Sequence, residues 1–216
     1  MNLLILAANG QIARIVENRV LEEPEFASVS LTLGLRNPQR LAELKDNARV
    51  RLVGVDLEDA ASVDAVMEGQ DMVFVAVVDH DSDNAITRNV VAAMKKHGVS
   101  RIISTNILGI YDEVPGEFGR WNKQMVRSGL QSAINSDALL KESGLDYTTL
   151  RLPWLNDRDE IKYAVTHRDE EYVGVSGSRK SIADVVVKIV RDPSFGSRDS
   201  LGIADIDTQG ETRPVY

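Results

Sequence analysis

Ala7, Gly10 and Ala13 fall three apart in LAANGQIAR, between an apolar run and a helix-like pattern. Small residues at that spacing suit a turn that wraps a dinucleotide pyrophosphate. The first position makes the tight turn, the second lets backbone approach the phosphates, and the third lets the helix pack closely on the strand. Alanine is accepted at the last position. At the first it is tolerable where φ is negative. Gly10 is the place where a missing Cβ should matter most, and Asn9-Gly10 is a strong turn dipeptide. A helix opening at Gln11 and Ile12 would offer free N–H groups to phosphate. The same residues also describe a plain strand-to-helix turn, kept small for packing.

A second group lies in GLRNPQR, at the end of the next strand-like run. An acidic residue there would bind a ribose 2′-hydroxyl. Arg36 stands in its place, and an arginine can hold a 2′-phosphate in bidentate geometry. Arg40, about one helical turn later, adds another guanidinium; the alternative is a solvated arginine at a strand end. Asp56 and Leu57 close a third strand-like run, where they could flank an adenine. Asp56 reads equally well as the N-cap of the following helix. VVDHDSDN (77–84) gathers Asp79, His80, Asp81 and Asp83. Neighbouring residues alternate direction and a divalent cation draws ligands from several segments, so no metal is expected. Asp81 or Ser82 is expected to cap the next helix. His80 lies at the ligand-binding end of the expected sheet, where it could face a substrate. His97 and His167 read as ordinary surface residues. There is no Gly-x-Ser-x-Gly elbow and no Walker A loop.

The elements that must position these groups alternate along the chain. Strands are expected at 3–7, 28–35, 50–57, 71–78, 100–106 and 146–152, and helices at 10–23, 38–45, 61–69, 84–98 and 136–144. The run DMVFVAVV is almost wholly apolar, as in a strand covered on both faces. Alternation with short connections predicts an α/β fold with a doubly wound parallel sheet. The stretches 106–130 and 153–180 read as long loops after strand ends, where such sheets bind ligands.

With 216 residues the chain suits a single domain, residues 1–216, with one core and no second substrate domain. Cysteine is absent, which excludes disulfides and thiolate metal sites and fits a reducing, cytoplasmic setting. The formal net charge of −8 argues against a nucleic-acid partner. No stretch approaches the roughly 18 apolar residues of a membrane span. Apolar residues at 106–118 offer a surface for a homodimer.

Together these residues resemble the NmrA-like, NAD(P)-binding subgroup of the atypical short-chain dehydrogenase/reductases. AANGQIA (7–13) is similar to the family loop with its first glycine changed. LRNPQR (35–40), VDLED (55–59), KHGVSRIISTN (96–106), ESGLDYTTLRLPWL (142–155) and SRKSIADVV (178–186) resemble further family segments, in order. The resemblance implies a Rossmann-like fold with strand order 3-2-1-4-5-6 and an NADP-type cofactor, with NAD as the alternative. It places Val77, Ser104 and Pro153 around the nicotinamide. It also implies Ser or Thr after the fifth strand, a place taken by Ser104 and Thr105. The family's Tyr-x-x-x-Lys pair occurs nowhere, and its two positions fall near Gly129 and Ala133.

Hydride transfer is the cofactor's chemistry, and a flavin or quinone acceptor needs less exact proton delivery. Tyr111, the tyrosine nearest Ser104 in sequence, could donate a proton, stack on an acceptor, or simply pack its loop. Trp121 could cover a flat substrate or anchor its loop, and Trp154 could equally be core. The leading expectation is an NAD(P)H-dependent oxidoreductase acting on a small flat acceptor. The rivals are a redox sensor that binds NAD(P) without turnover and a degenerate domain that binds none.

Overall fold

Leu3, Leu4, Ile5 and Leu6 have no solvent exposure at all. Alternate side chains leave opposite faces of a strand. Leu3 and Ile5 join a cluster with Ala13, Val16, Val20 and Ile182; Leu4 and Leu6 join another with Val63, Met67, Val90 and Met94. A strand buried this way needs helices on both sides, which is the condition that favours parallel sheets.

The computed structural model describes residues 1–216. The first half runs β1 (Asn2–Leu6), α1 (Gln11–Glu22), β2 (Ser30–Leu35), β3 (Val50–Gly54), α2 (Ala60–Met67), β4 (Met72–Val75), α3 (Ala85–His97) and β5 (Arg101–Ile107). The second half runs α4 (Gly116–Met125), α5 (Leu130–Glu142), β6 (Asp146–Leu152), β7 (Trp154–Asn156), β8 (Ala164–Thr166), β9 (Ser176–Ser178), α6 (Arg179–Arg191) and β10 (Asp199–Ala204). The main sheet is ordered β3-β2-β1-β4-β5-β6-β10-β8, and β7 pairs β9 in a separate ribbon. All pairings are parallel except β10 with β8. The winding reverses between β1 and β4, so a crevice opens at their carboxyl ends. No helix is long and apolar enough to cross a membrane.

The doubly wound α/β sheet is therefore as expected, with three local corrections. The stretch 106–130 is not one loop: it holds α4, and α5 begins at Leu130 instead of 136. Its inward face carries Ala133, Ser136, Asp137 and Leu140, helically spaced but half polar. Ser136 bonds Thr87 and Asp137 bonds Tyr111, so hydrogen bonds rather than apolar side chains bury that face. The stretch 153–180 contains three short strands paired with residues far along the chain, and β10 adds a strand beyond those expected. Residues 38–44 form 3-10 turns broken at Leu41 instead of an α-helix.

Glu17 of α1 is wholly buried. Oε2 accepts from Arg14 at 2.9 Å while Oε1 finds no partner. Burial outweighs the arginine's attraction and pushes the carboxyl up to about 7. A folded-state pKa above the unfolded one means that its contribution to stability is complete below the unfolded value and is lost as pH rises through the folded one. The wild type should therefore lose on the order of 3 kcal/mol between pH 4.5 and 8 from this group. Glu17→Gln should remove that loss and be more stable than wild type at pH 8, measured by urea denaturation across pH. An unchanged pH slope would count against it.

Candidate cofactor and active site

The turn after β1 is built by the backbone. Ala7 sits at φ 60°, in the left-handed region, contrary to the negative φ under which alanine is comfortable there. Gly10 N–H donates to the Ala7 carbonyl at 3.0 Å and closes the turn, and Ala8 N–H donates to Gly34 of β2 at 3.1 Å. Burial of Ala8 and that bond hold the chain in place, so the strain at Ala7 is imposed by its neighbours. Gly10 itself has an ordinary φ of −67°. A Cβ there would meet only the Ala7 and Ala76 carbonyl oxygens, at 3.4 and 3.6 Å. Its lack of a side chain keeps open the space in front of the helix and relieves no backbone strain.

Helix α1 begins at Gln11 with no side-chain cap and no acidic residue in its first turn. The first-turn N–H groups of Gln11, Ile12 and Ala13 thus have no partner, and the positive end of the helix faces the crevice. Ala13 is fully buried against the sheet, as the third position of the loop requires. Asn9 and Gln11 are exposed. This opening fits a phosphate. Arg36 lies in the bend after β2, exposed and free of any ion pair, and Arg40 is also exposed. Asp56 follows β3, and its Oδ1 accepts from Glu58 N–H at 3.1 Å. The cap of α2 is Asp59, which accepts from Ala61 N–H at 2.9 Å, so Asp56 stays free of that duty. Leu57 packs partly into the core, and its carbonyl accepts from Asn89.

Beyond β4, Ala76 N–H donates to Leu6 at 3.0 Å and brings Ala76 and Val77 beside the turn. Ser104 of β5 pairs in register with Val75, the last residue of β4. It is 7% exposed, and its side chain lies on the α5 side of the sheet with Ile102 and Asn106. Asp79 is spent on α3: its Oδ2 accepts from the N–H and hydroxyl of Thr87 at 2.8 and 2.6 Å. The N-cap position of α3 is held by Asn84, not by Asp81 or Ser82 as expected; Asp81 instead accepts from Ala85 N–H at 3.3 Å from outside the helix.

Tyr111 belongs elsewhere. Its hydroxyl donates to Asp137 at 2.5 Å and accepts from Arg168, which also reaches Tyr147 near the start of β6. The hydroxyl is thereby held toward the amino-terminal half of the sheet, away from the crevice. Burial, then the Asp137 charge, raises its pKa far above that of a free phenol. The Arg151 guanidinium lies 5.4 Å from the ring centre and is itself paired with Glu113 at 3.0 Å, both buried. Of the three readings of Tyr111, these contacts support the one in which it packs and anchors its loop. Trp121 and Trp154 also anchor: their ring centres are 4.7 Å apart, and Trp154 Nε1–H donates to Asn122 at 2.9 Å. Pro153 is buried and lies 3.0 Å from the position of a Cβ on Gly177. The turn, Ala76 and Val77 are thus gathered at one place, while Tyr111 is not. His80 rests on Gly129, a meeting of residues 49 positions apart that no local pattern announces.

The sequence profile of a family described as NAD(P)H-binding matches residues 7–193. A Rossmann-fold NAD(P)-binding family protein from Shigella flexneri is 32% identical, covering 100% of this chain and 98% of that one, with a TM-score of 0.77. A short-chain dehydrogenase/reductase from Veillonella parvula DSM 2008, in complex with NADP, is 24% identical over 100% and 99% of the chains, with a TM-score of 0.90. An anaerobilin reductase from Escherichia coli O157:H7 is 18% identical over 100% of both, with a TM-score of 0.78. The last two show a shared fold.

The strain at Ala7 has a measurable consequence. An alanine held at positive φ costs roughly 1 kcal/mol that glycine does not pay. Ala7→Gly should raise the unfolding free energy by about 0.5–1 kcal/mol in denaturant titration. A loss of stability would show that the turn is not strained.

Proposed function

This chain belongs to the NAD(P)H-binding family, and from that premise we propose that it is an NADPH-dependent oxidoreductase of the NmrA-like type that reduces a small flat acceptor such as a flavin or quinone. The carrying observation is the uncapped start of α1 behind the Ala7–Gly10 turn, open to the crevice between β1 and β4. In this reading Ala7, Asn9, Gly10, Gln11 and Ile12 hold the pyrophosphate, largely through backbone. Asp56 and Leu57 flank the adenine. Val77, Ser104 and Pro153 line the nicotinamide half, and the stretches after β5 and β6 build the acceptor side of the one domain. When bound, a reduced nicotinamide supplies a hydride, and the protein contributes position and electrostatics. The NADP complex of the Veillonella protein and the reductase activity named for the Escherichia coli protein support this reading.

A second reading, an NAD(P)-binding redox sensor without turnover, draws on one observation: Tyr111 is locked to Asp137. Calorimetry with NADP and NAD, followed by NADPH oxidation with FMN and menadione, separates the two. Steady oxidation is expected. Tight binding without turnover on any acceptor would favour the sensor, and no binding would sink both.

Arg36 carries the choice of cofactor. Removing a charged hydrogen-bonding partner of the 2′-phosphate should cost about 1.5–3 kcal/mol, or on the order of 10- to 100-fold in affinity. Arg36→Ala should therefore weaken NADP by that factor and leave NAD nearly unchanged. Equal losses for both would refute the role.

A further inference from the structure

Two of the three histidines are already paired. His97 Nε2 lies 3.0 Å from Asp64, and His167 Nδ1 lies 2.6 Å from Asp199. His80 has no hydrogen-bond partner and is exposed. It stands four residues past Ala76, whose carbonyl borders the turn that precedes α1. The Nδ1 edge of its ring lies against Gly129, the residue before α5. A Cβ on Gly129 would lie 2.7 Å from Nδ1 and 3.3 Å from Cε1. Gly129 has φ −108° and ψ −3°, which any residue adopts. Backbone conformation therefore does not call for glycine there; the imidazole does.

The segment that carries His80 is tied down on both sides. Asp79 receives Thr87 from α3 and the N–H of Asp81 at 3.2 Å. Asn84 Nδ2–H donates to the Ser132 carbonyl of α5 at 2.9 Å. An unpaired imidazole is thus held against Gly129 on the connection that leaves the carboxyl end of β4, the edge of the sheet where ligands bind in such folds. Imidazole is the side chain that exchanges protons most readily near neutral pH. Tyr111 is committed to Asp137, and Ser104 is nearly covered.

Resting on the reductase reading above, we propose that His80 is the proton donor to the acceptor and that Gly129 is the positioning residue that gives it room. An acceptor that has gained a hydride holds two new electrons and still lacks one proton. An N–H bond of the His80 ring breaks, and an O–H or N–H bond forms on the acceptor. Solvent returns the proton to the exposed ring.

The test follows the imidazole signals of the intact protein by nitrogen–proton NMR while NADP is added. Loss of one signal in H80Q assigns it. NADP should shift the His80 signal and leave those of His97 and His167 in place. H80Q should lower NADPH oxidation with menadione about 100-fold in kcat, with NADP affinity unchanged. Gly129→Ala should shift the His80 signal even without NADP and lower the same rate, because the new methyl displaces the ring. NADP that binds by calorimetry yet leaves the His80 signal unmoved would overturn the assignment, as would H80Q turning over at the wild-type rate. Absence of NADP binding would instead overturn the cofactor reading on which it rests.

Discussion

Complete burial of β1 on both faces is the constraint from which the rest of the architecture follows. Its four leucine and isoleucine side chains point alternately into two separate clusters, one beneath α1 and α6, the other beneath α2 and α3. One layer of helices cannot cover both clusters. The chain must wind away from β1 in one direction through β2 and β3, then return past it to β4. That reversal leaves the carboxyl ends of β1 and β4 uncovered together, and it is there that the backbone of the first turn and the start of α1 converge.

The turn meets the demand at a local cost. Its geometry needs a positive φ where β1 ends, and alanine supplies it under strain. Bonds from Ala8 to β2 and from Gly10 back to Ala7 hold that conformation. Strain kept by surrounding packing is characteristic of sites where backbone must be presented in one particular way. Here it turns the first N–H groups of α1 outward, with no capping side chain or acidic residue to compete for them.

On the far side of the sheet the same chemical types serve a structural end. Arg151, Glu113, Tyr111, Asp137 and Arg168 form a linked cluster that fastens the segment after β5 across β6. Removing one partner from a buried pair such as Arg151–Glu113 leaves an uncompensated charge, so the cluster is rigid as a unit. A tyrosine in it cannot serve the crevice as well. The exposed His80, unpaired and held on a pinned segment, has the freedom that Tyr111 lacks.

Alternation of apolar runs with helical patterns in the sequence was enough to establish the parallel sheet, because a strand covered on both faces must be apolar throughout and its neighbours must be helices. The spacing of Ala7, Gly10 and Ala13 was enough to locate the tight turn that leads from β1 into α1, since small residues at that spacing act through backbone. Helix α5 began earlier than its apolar residues indicated, because Ser136 and Asp137 are buried by hydrogen bonds to partners far away in the chain. The short strands after β6 exist only by pairing with distant residues. What each tyrosine, tryptophan or histidine packs against was likewise decided by tertiary structure alone. Side-chain direction in a long connection depends on what the rest of the fold brings beside it, as Asp137 does for Tyr111 and Gly129 for His80.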